Sequence, residues 1–261
     1  MLLKYLFPPS LFFTATSLLT LASMANGGLA EVRGKHVQYS KFFGVGSQGS
    51  KASQIMLPTR AAMVIVYTPG FLNGVASFLL FPDEGFRFLL LKSAITIHFS
   101  KRVFEALFIH KYSGKMGLDT LIFILVSYLV STASMIYSQH LTQGVPEPPI
   151  DLKYPGIVLF LIGVSGNFYH HYLLSKLRGK GDNEYKIPKG GFFALVACPH
   201  YLFEVLGFWG ITFISQTLYT FSFTLGSTLY LMGRSYATRK WYLSKFEDFP
   251  KGVKAMIPYI F

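Results

Sequence analysis

The chain has 261 residues, of which 51% are hydrophobic and only 14% charged, and its mean hydropathy is +0.41. This composition is typical of a membrane protein, and one cysteine, Cys198, excludes an intramolecular disulfide. The net charge of +12 would suit a nucleic-acid partner, but the basic residues lie between apolar segments and form no soluble basic face. We therefore expect a membrane-embedded protein that binds no nucleic acid.

Seven apolar segments follow one another along the chain, each long enough to cross a bilayer as a helix. They cover approximately residues 11–30, 61–81, 86–109, 118–137, 155–174, 191–214 and 218–236. The sequence thus predicts an all-α integral membrane protein with about seven transmembrane helices. We divide it into an N-terminal helix with a basic loop, residues 1–59, and a membrane domain, residues 60–261. The alternative for residues 1–25 is a cleaved signal peptide.

The loops between these segments alternate in charge. One set, which comprises residues 31–60, 176–189 and 239–261 with Lys111 and Lys115, holds 17 of the 24 lysines and arginines. Basic loops tend to stay in the cytoplasm. The pattern therefore predicts a lumenal N-terminus and a cytosolic C-terminus.

Ionisable side chains interrupt four of the apolar segments, although a charge near the bilayer centre costs about 2.5–3.5 kcal/mol. Residues three, four or seven apart share one face of a helix, so the polar side chains converge. The sets are His98, Lys101, Arg102 and Glu105; Asn167, His170 and His171; His200 and Glu204; and Arg234, Thr238 and Tyr242. We expect them to form one internal cavity for a polar ligand. The alternative is a set of polar clamps between helices.

Basic residues cluster where the cytosolic mouth of this cavity is expected. They are Arg178, Lys180, Lys186, Lys189, Arg239 and Lys240. Such a ring matches an anionic group such as a phosphate, or alternatively the headgroups of anionic lipids. No GxGxxG follows a predicted strand, and no Walker or HExxH motif occurs, so helix side chains would have to hold the phosphates. His170 and His171 point about 100° apart on a helix, so no metal site is expected.

Four C-terminal stretches resemble the steroid 5α-reductase family. They are residues 163–178 (GVSGNFYHHYLLSKLR), 185–191 (YKIPKGG), 198–204 (CPHYLFE) and 234–261, which contains YLSKFEDFP and ends in IPYIF. The family includes steroid reductases, trans-2-enoyl-CoA reductases and polyprenal reductases. The resemblance implies a seven-helix fold in the endoplasmic reticulum membrane, with NADPH bound from the cytosolic side.

The resemblance also implies a cofactor site, onto which the residues of this chain map one by one. Positions that the family uses around NADPH are matched by Asn167, Arg178, Glu204, Arg234 and Tyr242. Further cofactor positions carry His171, Lys186, His200 and Thr238, whose residue types differ from those of the steroid enzymes. Arg178, Lys186 and Arg239 are expected to recognise the 2′-phosphate.

The catalytic pair of the steroid reductases is altered here. The family places a glutamate on the second helix and a tyrosine on the third, and both grip the 3-keto oxygen. Tyr67 stands at the glutamate position and Phe99 at the tyrosine position, between His98 and Arg102 in the expected substrate pocket. Phenylalanine cannot donate a proton. The donor is therefore Tyr67 or, because CPHYLFE matches the CPxYxxE of the enoyl-CoA branch, Tyr201.

Together these features predict an NADPH-dependent reductase of a carbon–carbon double bond conjugated to a carbonyl, with a 3-oxo-Δ4 steroid as the favoured lipid. Reduction of trans-2-enoyl-CoA is the second interpretation. A membrane methyltransferase is a third, although the YLxKFEDFP ending favours the reductase. A non-catalytic protein that binds cofactor or sterol is a fourth, supported by the loss of the tyrosine at Phe99.

Overall fold

A computed structural model describes residues 4–42, 55–83, 85–112, 114–177, 179 and 184–261. Within them the fold is mostly helical. The α-helices are α1 (Leu11–Val32), α2 (Thr59–Leu80), α3 (Gly85–Phe104), α4 (Leu118–His140), α5 (Lys153–Lys176), α6 (Pro199–Ser215) and α7 (Leu218–Lys245). A π-helical turn, Glu105–Ile109, extends α3, and 3₁₀ turns occupy Ser40–Phe42 and Gly191–Ala194. Two short strands, β1 (Met56–Pro58) and β2 (Lys115–Gly117), pair antiparallel.

The seven predicted helices all occur in the described part of the chain. Three of them, α2, α4 and α5, are long and apolar enough to cross a membrane by length and composition. The membrane character of the chain is therefore supported, whereas seven spans and the orientation of the termini stay predictions.

Two helix boundaries differ from the prediction for physical reasons. Helix α6 begins at Pro199, because proline is favoured in the first helical turn and residues 191–194 form a separate 3₁₀ turn. Helix α7 continues to Lys245, nine residues past its apolar part. Hydropathy detects only the apolar part of a helix, so it missed this basic and aromatic extension.

Helices α5 and α6 pack with their backbones in close contact. A Cβ atom added to Gly163 would lie 2.5 Å from the Cα of Gly207 and 2.8 Å from the carbonyl oxygen of Phe203. Small residues at such an interface allow the close approach that stabilises helix pairs in membranes. Helices α1 and α7 pack in the same manner, with Gly28 against the backbone of Leu229 and Tyr230. The first interface brings together polar residues of α5 and α6, and the second joins α7 to α1.

The opposite end of α3 is held by a buried cation, Arg87. Its Nη1 donates to the carbonyl oxygen of Ile214 (2.6 Å) and to Oε1 of Gln216 (2.8 Å). Its Nε donates to Oε2 of Glu147 (2.9 Å), and its Nη2 donates to Oδ1 of Asp151 (2.8 Å). Arg87 therefore joins α3 to the α4–α5 loop and to the α6–α7 turn.

This clamp predicts a loss of stability in acid. The hydrogen bonds from Arg87 lower the pKa of Glu147. Burial alone would raise the pKa of Asp151, but hydrogen bonds from Lys153 lower it overall. Since both carboxyl groups have lower pKa values in the folded state, their contribution is complete above about pH 4.3 and is lost as the pH falls further.

We expect the unfolding temperature in detergent to drop as the pH falls below about 4.3. In the Glu147→Gln variant the unfolding temperature should depend less on pH, giving a flatter pH profile. Glu247→Gln is the control, because Glu247 is exposed and makes no ion pair within the described residues. An equal flattening in both variants would contradict the assignment.

Candidate active site

A buried carboxylate, Glu105, organises a cluster of polar side chains at the end of α3. Its Oε2 accepts from Nη1 of Arg102 (2.9 Å), and its Oε1 accepts from Nζ of Lys101 (3.1 Å). Nδ1 of His171 on α5 lies 3.0 Å from Oε1 of Glu105. The second arm of Arg102 donates through Nη2 to the hydroxyl oxygen of Tyr67 on α2, and the guanidinium stacks 4.6 Å from the Tyr67 ring centre. Helices α2, α3 and α5 thus meet at the Arg102–Glu105 ion pair.

A second chain of contacts leads from this cluster to α6. Lys101 donates to the side-chain oxygen of Asn167 on α5. The amide nitrogen of Asn167 donates to the carbonyl oxygen of His200 (2.8 Å) and lies 3.4 Å from Oε2 of Glu204. Asn167 is 1% exposed, so these bonds are shielded from solvent. The Asn167 side chain on α5 therefore contacts the predicted cofactor residues His200 and Glu204 on α6.

Next to these contacts lies a cavity of about 220 Å³. Its lining includes six of the predicted site residues, namely Lys186, His200, Tyr201, Arg234, Thr238 and Tyr242. Residues that precede α2 or follow α3 also line it: Tyr39, Lys41, His110, Lys111 and Tyr112. Nδ1 of His200 is buried and has no hydrogen-bond partner among the described residues. The cavity thus offers cations, aromatic rings and an unsatisfied imidazole nitrogen to a ligand.

The cationic residues of this cavity differ in how free they are to bind a ligand. Arg234 is 2% exposed, and its Nη1 donates to Oε1 of Glu31 on α1 (2.7 Å). Lys41 is stacked against the rings of Trp241 and Tyr242, 5.4 and 5.0 Å from their centres, and makes no ion pair with a described carboxylate. Burial lowers the pKa of Lys41 to about 8. A bound anion would therefore stabilise the charge of Lys41, whereas Arg234 already has a carboxylate partner.

One residue predicted to recognise a phosphate, Arg239, lies elsewhere. Arg239 is not in the cavity lining, because its Nε donates to the carbonyl oxygen of Val253 (2.6 Å) and its Nη2 to that of Lys251 (2.8 Å). These bonds fasten the C-terminal segment to α7. Arg178 lies outside the described residues.

The predicted substrate residues form a separate, apolar region beside Tyr67. The rings of Tyr67 and Phe99 both pack against Tyr128, with centres 5.7 and 5.3 Å away. His98 packs between Phe99 and Phe208. None of Tyr67, His98, Phe99 and Arg102 lines the 220 Å³ cavity. The Glu105 cluster adjoins the cavity, because His110 lies 4.0 Å from Glu105 and lines the cavity, as Tyr201 does.

The two adjacent histidines of α5 have different surroundings, as their directions on the helix predict. Nδ1 of His170 bonds to the carbonyl oxygen of Gly166 (2.7 Å), and Nε2 accepts from the Phe192 backbone (3.1 Å). His171 faces Glu105. Potential ligand atoms of Glu105, His110 and His171 lie within 4.8 Å of one another, a grouping that sequence spacing did not indicate. Lys101 and Arg102 already contact that carboxylate, and two adjacent cations disfavour a metal ion there.

Comparison with known proteins gives the family. A family model described as 3-oxo-5-alpha-steroid 4-dehydrogenase matches residues 110–261, which is more than half of the chain. The chain belongs to this family. Members of the 3-oxo-5-alpha-steroid 4-dehydrogenase family are oxidoreductases that act on CH–CH bonds. Membership therefore favours the reductase over the methyltransferase interpretation.

Individual relatives within this family carry two kinds of name. A steroid 5-alpha-reductase of Gossypium hirsutum is 41% identical over 107 residues, 41% of this chain and 42% of that protein. A very-long-chain enoyl-CoA reductase of Dictyostelium discoideum is 32% identical over 167 residues, 63% of this chain and 55% of that protein. A 3-oxo-5-alpha-steroid 4-dehydrogenase 2 of Macaca fascicularis is 28% identical over 228 residues, 84% of this chain and 87% of that protein. The first two matches thus span about half or less of those relatives.

The family match covers only one part of the candidate site. Asn167, His171, His200, Glu204 and the α7 residues lie within residues 110–261, whereas Tyr67, Phe99, Arg102 and Glu105 precede them. Sequence reasoning noticed Glu105 on the face of Arg102 but gave it no role, and it placed Lys41 only in a basic loop. The signal for Glu105 was a carboxylate inside an apolar segment. Lys41 gave no comparable signal.

Proposed function

We propose that the chain is an NADPH-dependent reductase of a carbon–carbon double bond conjugated to a carbonyl in a lipid, with a 3-oxo-Δ4 steroid as the best-fitting substrate. The observation that carries the proposal is the hydrogen bond from the buried Arg102 guanidinium to the hydroxyl oxygen of Tyr67. We further propose seven spans in the endoplasmic reticulum membrane, with a lumenal N-terminus and a cytosolic C-terminus.

Tyr67 is suited to stabilise a negative charge that develops on a carbonyl oxygen. Arg102 donates to the Tyr67 oxygen, so the phenolic hydrogen is left to donate to a substrate. A cation behind the phenol strengthens that donor, since charge-assisted hydrogen bonds are stronger than neutral ones. A donor preorganised in a dry site contributes about 3–4 kcal/mol to transition-state stabilisation. Phe99, Tyr128 and Phe208 form the apolar surroundings that a lipid with a carbonyl group requires.

The side chains that line the adjacent cavity offer the kinds of contact that a phosphorylated dinucleotide makes. Lys41 and Lys186 supply positive charge, and the aromatic lining supplies stacking surfaces. Nδ1 of His200, which has no partner among the described residues, can form a hydrogen bond with the ligand. NADPH would supply a hydride to the β-carbon of the double bond, and a proton would add to the α-carbon to complete the reduction. We assign Asn167, His171, Glu204, Arg234, Thr238 and Tyr242 to its binding, together with Arg178. The guanidinium of Arg239 bonds instead to the carbonyl oxygens of Val253 and Lys251. Asn167 would hold Glu204 and the His200 backbone in place for the nicotinamide end.

Recognition of the extra phosphate predicts a pH-dependent preference for NADPH over NADH. Lys41 has a pKa of about 8, so it carries its charge below that pH and loses it above. We expect NADPH affinity to fall as the pH rises through about 8, and we expect Lys41→Met to remove most of that dependence. Lys245→Met is the matched control, because Lys245 contacts the same Trp241 ring (5.6 Å) but does not line the cavity.

Titration of both cofactors in detergent from pH 6.5 to 9.5 measures this effect. Equal affinities for NADPH and NADH, or the same pH profile in Lys41→Met and wild type, would contradict it.

Reduction of a trans-2-enoyl-CoA is the second candidate. Two observations favour it: Tyr201 lines the cavity beside His200, and one relative is named as an enoyl-CoA reductase. Basic side chains at a cavity would also suit the phosphates of coenzyme A. In that case Tyr201 would be the donor.

A substrate panel decides between the two candidates. Purified full-length protein would be incubated with NADPH and 3-oxo-Δ4 steroids, enoyl-CoAs or polyprenals, and NADPH consumption and products would be measured. We expect turnover of the steroids. Turnover of enoyl-CoAs alone would replace the steroid proposal, and NADPH binding without any turnover would support the non-catalytic interpretation.

A further inference from the structure

Glu105 is a buried carboxylate that lies among cationic side chains. Its side chain is completely buried, and it contacts Lys101, Arg102 and His171 at 2.9 to 3.1 Å. Nε2 of His110 lies 4.0 Å from it. The donor and cofactor roles assigned above make no use of this carboxylate. The cationic groups around this buried carboxylate therefore indicate a role for Glu105 that those assignments leave out.

A π-helical turn of the backbone, Glu105–Ile109, begins at Glu105. Helix α3 becomes a π-helix at Glu105, and the backbone nitrogen of His110 bonds to the Glu105 carbonyl oxygen (2.8 Å), five residues back. Short π-helical turns occur frequently at functional sites. Lys101 and Arg102 approach from the preceding turn, so Glu105 lies between the two cations and His110.

Arg102 links Glu105 directly to the proposed donor. One arm, Nη1, donates to the Glu105 carboxylate (2.9 Å), and the other arm, Nη2, donates to the Tyr67 hydroxyl. Nε of Arg102 has no hydrogen-bond partner among the described residues. The planar guanidinium is therefore fixed at its two terminal nitrogens alone, by Glu105 with His171 on one side and Tyr67 on the other.

We propose that Glu105 is a positioning residue that holds the Arg102 guanidinium on the Tyr67 hydroxyl and so sets the strength of Tyr67 as a donor. This inference rests on the proposed role of Tyr67. Glu105 also contacts Lys101 and His171 on the cofactor side, so an effect on NADPH binding is the competing explanation that the experiment must separate.

The first test is a double-mutant cycle of Glu105→Gln and Tyr67→Phe. Glutamine keeps the shape but loses the charge that holds Arg102. We expect Glu105→Gln to lower kcat about 10- to 100-fold with little change in KM or NADPH affinity. If Glu105 acts through Tyr67, the double variant is no slower than Tyr67→Phe alone, because residues that act as a unit are not additive. Additive losses, or a loss confined to NADPH affinity, overturn the inference.

The second test needs neither cofactor nor turnover. The ¹³Cζ resonance of Tyr67 in labelled, cofactor-free protein would be assigned with Tyr67→Phe. We expect Glu105→Gln to shift this resonance and Glu105→Asp to restore it in part, whereas Lys101→Met, which removes the other cation on Glu105, should leave it near its wild-type position. An unchanged resonance in Glu105→Gln overturns the inference.

The two tests distinguish which proposal has failed. If Tyr67→Phe keeps wild-type turnover, the donor role of Tyr67 is wrong, and the resonance still decides whether Glu105 positions Arg102. If Glu105→Gln does not fold, the same cycle and the same resonance are measured with Glu105→Asp, which retains the charge but shortens the reach. An unshifted resonance with additive kinetics in that variant overturns the inference.

Discussion

Tyr67→Phe is expected to lower kcat by about 10²- to 10³-fold, which is the loss measured when one preorganised oxyanion donor is removed. The variant removes only the hydroxyl that Arg102 contacts and leaves the ring to pack against Tyr128. Because Tyr67 does not line the 220 Å³ cavity, NADPH affinity should stay close to that of the wild type. Steady-state kinetics with the preferred substrate, together with cofactor titration, measure both quantities.

Tyr201→Phe is the matched comparison for this experiment. Tyr201 lines the cavity and packs 4.3 Å from the His200 ring, so its loss should affect cofactor affinity more than kcat. If Tyr201→Phe abolishes turnover while Tyr67→Phe is silent, then Tyr201 is the donor. The enoyl-CoA interpretation would then replace the steroid one.

Gly163→Ala is expected to destabilise the fold strongly, whereas Gly207→Ala should be neutral or slightly stabilising. The two glycines face each other across α5 and α6, but their surroundings differ. A Cβ on Gly163 would lie 2.5 Å from the Cα of Gly207, whereas a Cβ on Gly207 would have its nearest neighbour at 3.9 Å. Backbone atoms cannot yield as a flexible side chain can, so overpacking at Gly163 should cost about 1–3 kcal/mol or more.

Thermal unfolding of both variants in the same detergent tests this asymmetry. Alanine has the better helix propensity by about 1 kcal/mol, so Gly207→Ala should keep or raise the unfolding temperature. Since Gly163 is four residues from Asn167, loss of the helix contact should also weaken cofactor binding in Gly163→Ala. Similar unfolding temperatures for the two variants would show that α5 and α6 are not packed as described.

The order of the helices was predictable because an apolar run marks each of them, although of these described helices only α2, α4 and α5 are long and apolar enough to cross a membrane. The sequence did not reveal how α7 ends, since residues 237–245 are helical without being apolar. Nor could it reveal which helices are neighbours. Gly163 and Gly207 show why: a glycine in an apolar segment indicates a close contact, but only the folded chain identifies the partner.

The site was predictable where a polar residue stood out against an apolar segment. Asn167, His200 and Tyr201 are examples, and the structure brings them to the same cavity or to its edge. Lys41 was missed because a lysine in a basic loop is unremarkable until the chain folds and covers it with Trp241 and Tyr242. Arg234 was identified as a site residue, but its bond to Glu31 joins α7 to a part of the chain 203 residues away.

The bond between Arg234 and Glu31 has an evolutionary consequence. The wall of the cavity combines residues from the segment that the family model matches with Tyr39 and Lys41, which precede it, and Glu31 anchors the two parts to each other through Arg234. Ligand preference could therefore diverge between relatives by exchanging a short stretch near the start of the chain. Substitutions there would leave the matched segment untouched, so two proteins with similar C-terminal halves need not share a ligand.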